Sequence, residues 1–354
     1  MIWEYRNKME FTFSEDLKGN KYLGLIQAFG KGRVLSLSEC HLASPWLTKT
    51  LQAVRSWWEQ SGVKAYSGNK NTGSLRTLTL REGVRTGDRM AMLTISGNPD
   101  YEFNKNDQQT FVDTLNSVLE TNTSSTSIFL RIQHSLKGIE THFDEIHLQG
   151  PSHMRERLNI ALDDTHPLES FIFQISPTAF FQPNTRQAEK LYAEAIKMSG
   201  LTCKSIVYDL YCGTGTLGII AAKKAERVIG IEINPHSVLD AKANAALNGI
   251  DNITFMTGAV KQATLSNDDE KSLPHPDIVF VDPPRIGLDR EALEYLIDLA
   301  PLKILYISCN PITQAENIRC LIEKGYRIAS VQPIDQFPHT PHIENIVLLQ
   351  KSSR

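Results

Sequence analysis

Cys309 follows an apolar run, Lys303-Ile-Leu-Tyr-Ile307, inside the tetrapeptide Ser308-Cys309-Asn310-Pro311. The run reads as a buried parallel strand, and a thiol just past its C-terminal end sits where open α/β sheets bind ligands. Deprotonated, from a free pKa of about 8.5, that thiol is a nucleophile. Free cysteine is also among the most buried residue types, so a core role stands beside the chemical one. Glu344, in His342-Ile-Glu344, opens the last apolar run 35 positions later. One helix and one strand fill that interval, so Glu344 can reach the same pocket edge and act as a base. A solvated acid at a strand end is the plainer reading.

A second group of residues suits a cofactor. Asp209-Leu-Tyr-Cys-Gly-Thr-Gly-Thr216 follows a strand and opens a helix. Its glycines let backbone approach a ligand closely, although the full G-x-G-x-x-G dinucleotide pattern is missing. Glu232 closes the next strand, 17 residues after Gly215, where a carboxylate suits the two hydroxyls of a ribose. Acids closing two successive strands around a G-x-G turn fit an adenosine ligand that need not carry phosphate. S-adenosylmethionine is the leading candidate, and a purely structural turn is the alternative. Asp282-Pro-Pro-Arg285 closes a further strand. Its prolines stiffen the loop and remove donors, so Asp282 and the carbonyls aim at a fixed place. Arg285 stands where amino-methylating enzymes carry a base-stacking aromatic, which argues against methylation of an amino group. For Pro-Pro alone, a simple turn is explanation enough.

These residues need a sheet to hold them. From Lys204 onward, strands at 205–210, 227–231, 253–256, 278–281, 304–307, 328–333 and 345–349 are separated by helices at 217–224, 236–247, 290–299 and 315–323. That alternation predicts an α/β, Rossmann-like, doubly wound and mainly parallel sheet. No helix separates the last two strands, so they form a terminal antiparallel pair. Before it, Asn184 caps a helix that stops at Gly200. The domain boundary is expected at 178/179, giving domains 1–178 and 179–354. The first is a β-rich α/β module with strands at 9–13, 22–28, 33–37, 73–80, 90–95, 127–132, 145–148 and 171–175. A helix from Pro45 carries Trp46, Leu47, Leu51, Val54 and Trp57 on one face. Arg81, Arg85 and Arg89 read as a basic loop, 106–119 as a second helix, and 267–272 as a short polar loop.

With 354 residues, 41% hydrophobic and 22% charged, this is an ordinary globular composition with room for two domains. No apolar run reaches the roughly 18 residues of a membrane span, and Met1-Ile-Trp-Glu-Tyr5 does not begin a secretory signal. A cytoplasmic monomer with no membrane partner is expected. The five cysteines form no C-x-x-C pair, so neither a metal nor an iron–sulfur cluster is expected. Net charge is −3, but residues 1–90 hold 14 Lys+Arg against 8 Asp+Glu, and the rest hold 23 against 32. A basic first third suggests a polyanion partner; a solvated surface would look the same.

The chain resembles the RNA uracil-C5 methyltransferases, which make 5-methyluridine in tRNA and 23S rRNA. The resemblance spans nearly the whole chain. It rests on Tyr5-Arg-Asn-Lys-Met-Glu-Phe11, Gly73-Ser-Leu-Arg76, Phe180-Phe-Gln-Pro-Asn184, 209–216, 282–285, 308–311 and 342–344 in family order. It implies a class I methyltransferase domain behind an N-terminal RNA-binding domain. It implies that Gln182, Tyr211, Thr216, Glu232 and Asp282 bind S-adenosylmethionine, with Cys309 as nucleophile and Glu344 as proton acceptor. Thr216 stands where relatives often have Asn. Phe181 and Arg285 are expected to meet the substrate. Relatives often add a TRAM domain and a cysteine cluster, and this sequence is expected to lack both.

The chemistry agrees with the resemblance. C5 of uracil is a poor nucleophile. Thiolate addition at C6 makes the ring an enolate, so that C5 can take a methyl; a base must then remove the C5 proton. A uridine in folded RNA must also be flipped out. The remaining alternatives are an RNA cytosine-C5 or small-molecule methyltransferase on the same fold, and an RNA-remodelling protein that turns over slowly.

Overall fold

Alternation at period two builds the first sheet. In β1 (Lys8–Glu15), Met9, Phe11 and Phe13 enter a core that Glu10 and Thr12 face away from. β2 (Lys21–Ile26), β3 (Val34–Ser36), β4 (Leu75–Glu82), β5 (Arg89–Ser96), β6 (Thr126–His134) and β7 (His142–Gln149) complete it in the order β3-β2-β1-β4-β5-β6-β7. Among the described strands of this sheet, only β5 and β6 pair in parallel. Such a pair needs a crossover, and helix α2 (Lys105–Ser117) lies within it. Helix α1 (Pro45–Ser61) has proline in its first turn and ends at Gly62 in the left-handed region.

The computed structural model describes residues 2–119, 125–135, 138, 140–163, 165, 167–259 and 273–352; the polar loop expected at 267–272 lies outside them. The chain divides into two units, Met1–Glu156 and Arg157–Arg354. The division falls inside β8 (Met154–Ile160), a strand absent from the sequence reading. Its inward positions include Glu156, which interrupts the apolar alternation. That carboxylate is buried and accepts the Val84 and Arg85 amides at 2.8 and 2.9 Å.

Two expectations in the first unit need correction. Trp58, not Trp57, is the fully buried tryptophan of α1. Trp57 is half-buried and donates its Nε1–H to Thr110 of α2 at 3.0 Å. The expected basic loop presents Arg85 alone. β4 and β5 extend further than expected, and alternation turns Arg81 and Arg89 inward, to 4% and 6% exposure. Burial lowers the Arg81 pKa to about 10, and the Arg89 guanidinium lies over the Trp46 ring at 4.7 Å.

β8 pairs with β9 (Glu169–Ile175) in a two-stranded sheet. α3 (Thr185–Ser199) follows, capped by Asn184 and ended by a left-handed Gly200. Then come β10 (Ile206–Leu210), α4 (Thr216–Ala222), β11 (Arg227–Glu232), α5 (Pro235–Leu247) and β12 (Ile253–Thr257). β13 (Ile278–Val281), α6 (Arg290–Leu299), β14 (Lys303–Ser308), α7 (Pro311–Glu323), β15 (Tyr326–Ile334) and β16 (Glu344–Lys351) finish the described chain. The sheet order is β12-β11-β10-β13-β14-β16-β15, parallel through β14 and antiparallel in its last two pairs.

β9 is held by asparagines rather than by the large sheet. Asn244 and Asn248 accept the Gln174 and Ile172 amides at 2.7 and 2.9 Å and donate back to the same residues' carbonyls. They serve as a surrogate strand edge. This ties β9 to the second unit, although it precedes the boundary expected after Thr178.

Candidate active site

The strand order reverses between β10 and β13, and ligands of open sheets bind beyond the carboxyl ends of strands at such a switch point. A cavity of about 630 Å³ opens there. All nine site residues expected from the sequence line it, brought together from six loops and strand ends of the second unit.

The β10 side carries groups that fit a cofactor. Tyr211 leaves the strand with φ 62°, a strained value for a bulky residue and of the kind held at functional turns. Gly215, at φ 79°, could not carry a side chain: an added Cβ would lie 2.8 Å from Phe255. Glu232 is fixed by two backbone amides, with Gly213 donating at 3.1 Å and Asn234 at 2.9 Å. Thr216 is buried with its hydroxyl 3.2 Å from that of Thr214. Gln182 is buried and accepts from Gln336 Nε2 at 3.2 Å. Its amide also hydrogen-bonds the Tyr192 hydroxyl. Asp209 Oδ2 is buried without a hydrogen-bonding partner.

Burial sets the charge of this half. It raises the Asp209 pKa to about 8, helped by Asp282 and Glu232, with the Gly218 amide pulling the other way. It raises Asp282 to about 7. A cluster of buried carboxylates costs free energy until a cation joins it. S-adenosylmethionine carries an ammonium and a sulfonium, and its ribose diol matches the fixed Glu232 oxygens. The cavity therefore fits that cofactor on its own geometry.

The β14 side explains each residue of Ser-Cys-Asn-Pro. Ser308 Oγ accepts the Asn310 amide at 3.0 Å and donates to the Asn310 carbonyl at 3.2 Å, bracketing Cys309. Asn310 caps α7 by accepting the Ile312 amide, and Pro311 occupies the first turn. Asn310 Nδ2 also donates to the Arg285 carbonyl at 3.1 Å, tying this turn to the Pro-Pro loop. β14 and β16 pair Ser308 with Asn345. Cys309 and Glu344 adjoin this pair, and both line the cavity. Gln314 closes the arrangement: it donates to the Tyr306 and Asn345 carbonyls at 2.9 and 3.2 Å and accepts from Asn345 Nδ2 at 2.8 Å.

Glu344 is 4% exposed. Burial, then Asp282, raises its pKa to about 8. Burial, Glu344 and Asp282 raise the Cys309 thiol, and Arg285 lowers it. Arg285 Nη2 lies 3.2 Å from His342 Nδ1. Cys212 also lines the cavity, but burial and two carboxylates push its thiol well up. Cys309 is half-buried and has the cationic neighbour. Phe181 is buried, with its ring 5.8 Å from that of Phe173, so it serves as wall. Phe180 is 67% exposed and also lines the cavity.

Sequence reading missed Tyr192 and Gln336. Tyr192 lies on the buried face of α3 and looks like any core aromatic. Gln336 lies in the segment between β15 and β16, fully buried beside Gln182, and no local pattern marks it. Among the described residues no three His, Cys, Asp or Glu side chains converge as a metal site requires. No helix among them is long and apolar enough to cross a membrane.

A carboxylate-lined cavity at the switch point of this sheet defines an S-adenosylmethionine-dependent class I methyltransferase. Residues 145–352 match the family model described as tRNA (uracil-5-)-methyltransferase. The chain is 52% identical over 349 residues to an uncharacterized RNA methyltransferase of Protochlamydia amoebophila, covering 98% of this chain and 78% of that one. It is 38% identical to a second uncharacterized RNA methyltransferase, of Chlamydia trachomatis, covering 98% and 85%. Its fold matches the Pyrococcus abyssi tRNA (uracil-54, C5)-methyltransferase, solved with S-adenosyl-L-homocysteine, at TM-score 0.71 and 26% identity over 99% of this chain and 76% of that one. The chain belongs to the tRNA (uracil-5-)-methyltransferase family. Its activity is that of an RNA uracil-C5 methyltransferase.

Proposed function

We propose that this enzyme methylates C5 of a uridine in folded RNA through a covalent Cys309 adduct. Cys309 Sγ bonds to C6 of uracil, the C5–C6 π pair moves toward O4, and C5 becomes nucleophilic. Bound S-adenosylmethionine supplies the electrophilic methyl. Glu344 then takes the C5 proton, the electron pair re-forms C5=C6, and the Cys309 thiolate leaves. The observation that carries this reading is that Cys309 and Glu344, next to the last β14–β16 pair, line one cavity and that the Glu344 charge acts on the Cys309 thiol.

Gln182, Tyr211, Thr216, Glu232 and Asp282 hold the cofactor in this reading. Phe181 walls the base pocket, and Arg285 steadies the substrate and favours the thiolate. The exposed ring of Phe180 takes the place of the flipped base or packs on its neighbour. The first unit docks the RNA, and the protein acts as a monomer. The family name and the Pyrococcus relative make tRNA the first substrate to test, with 23S rRNA the second. RNA labelled with tritium at uridine C5 should release it to water in step with methyl incorporation. Release from cytidine-labelled RNA instead would overturn the uracil assignment.

A further inference from the structure

The turn joining β2 to β3 holds the most exposed large apolar side chain among the described residues, Phe29 at 106% relative exposure. Its backbone is left-handed at φ 59°, and Lys31 follows at φ 48°. Neither residue is glycine, and for a bulky side chain the left-handed region is a genuine outlier. The turn is nevertheless closed. Gly30 donates to the Gln27 carbonyl and Arg33 to that of Gly30, both at 3.0 Å, and Gln27 donates to the Arg33 carbonyl at 2.8 Å. A rigid tip thus carries an aromatic ring that adds nothing to the core, in a conformation that glycine or asparagine would adopt more readily.

Charge says what the ring meets. Residues 17–38 contain Lys18, Lys21, Lys31 and Arg33 and no Asp or Glu. Lys21 is engaged inward, donating to the Trp58 carbonyl at 2.7 Å, whereas Lys31 and Arg33 follow Phe29 in the same turn and are exposed. An exposed aromatic and two exposed cations on one turn combine the groups that bind single strands: a ring stacks on a base, and cations take neighbouring phosphates.

We propose that the β2–β3 tip is a docking point for single-stranded RNA, with Phe29 stacking on one unpaired base while Lys31 and Arg33 hold the adjacent phosphates. The proposal rests on the RNA substrate named above and adds a contact within the first unit. The probe is a fluorescein-labelled oligouridylate of about 12 nucleotides, beside an abasic strand with the same phosphates, both read by anisotropy without cofactor. Phe29→Asn should weaken oligouridylate binding about 10-fold, leave abasic binding unchanged and keep or raise Tm, because asparagine accepts the left-handed region. Phe29→Trp should bind as wild type. Reversing Lys31 and Arg33 to Glu should weaken both strands and flatten the salt dependence by about 1.4 in log–log slope.

Wild-type affinity in Phe29→Asn, equal losses on both strands, or no oligouridylate binding by the wild type would each overturn the proposal. So would a wild-type dimer that Phe29→Asn converts to monomer without loss of RNA, which would assign the tip to self-association. Binding through the tip by a protein that methylated no uridine would refute the catalytic reading alone.

Discussion

A thiol beside two carboxylates is a reluctant thiolate. Burial, then Glu344 and Asp282, raise Cys309, while Arg285 and a backbone hydrogen bond oppose them. The same environment suits Glu344 to its task, because a carboxylate lifted to about 8 is a strong base for its type. In the proposed reaction attack and proton removal fall to different residues, and the second can be disabled alone. Glu344→Gln is expected to accumulate a covalent protein–RNA adduct that survives a denaturing gel, since the methylated ring keeps its C5 proton. Free RNA at wild-type levels on that gel would count against Glu344 as the base. Cys309 and Glu344 were legible because each adjoins an apolar run in a specific motif. Tyr192 was not, because only the fold brings α3 to the cavity.

At the scale of elements, caps and staples set the geometry. Asn310 begins α7 just after Cys309, and Gln314 joins β14 to β16, bonding the Tyr306 carbonyl three residues before Cys309 and the Asn345 carbonyl next to Glu344. Gln314→Leu leaves two buried carbonyls without this donor. Each such loss costs about 1–3 kcal/mol, so Tm should fall by roughly 5 °C or more, and methyl transfer should fall with it. Unchanged Tm and rate would mean that the staple is dispensable. The second unit was legible almost element by element, because its strands and helices alternate with clear caps. The antiparallel end followed from two strands with no helix between. The first unit was less so. β8 hid behind Glu156, whose burial depends on amides of a distant turn. Arg81 and Arg89 looked like loop residues because nothing local shows how far β4 and β5 extend.

For the whole molecule, the buried carboxylates make stability depend on pH. Asp209, Asp282 and Glu344 titrate at about 8, 7 and 8 when folded, against about 4 when unfolded. Between those values the folded chain binds protons that the unfolded chain has released. Stability is thus greatest at low pH within this window and falls as pH rises from about 4 through about 8. Tm of the cofactor-free protein should drop between about pH 5 and pH 8, and Asp209→Asn should flatten that drop. A profile for Asp209→Asn parallel to wild type would contradict the burial assigned to Asp209.

The central claim is a bond between Cys309 and C6 of a uridine. Substrate RNA carrying 5-fluorouridine tests it directly, because fluorine at C5 cannot leave as a proton does and the methylated adduct is trapped. Peptide mass spectrometry after nuclease digestion should find one modified peptide, bearing a methylated fluorouridine on Cys309, and Cys309→Ala should yield none. An adduct on another residue, or methylated RNA released with no adduct at all, would contradict the account.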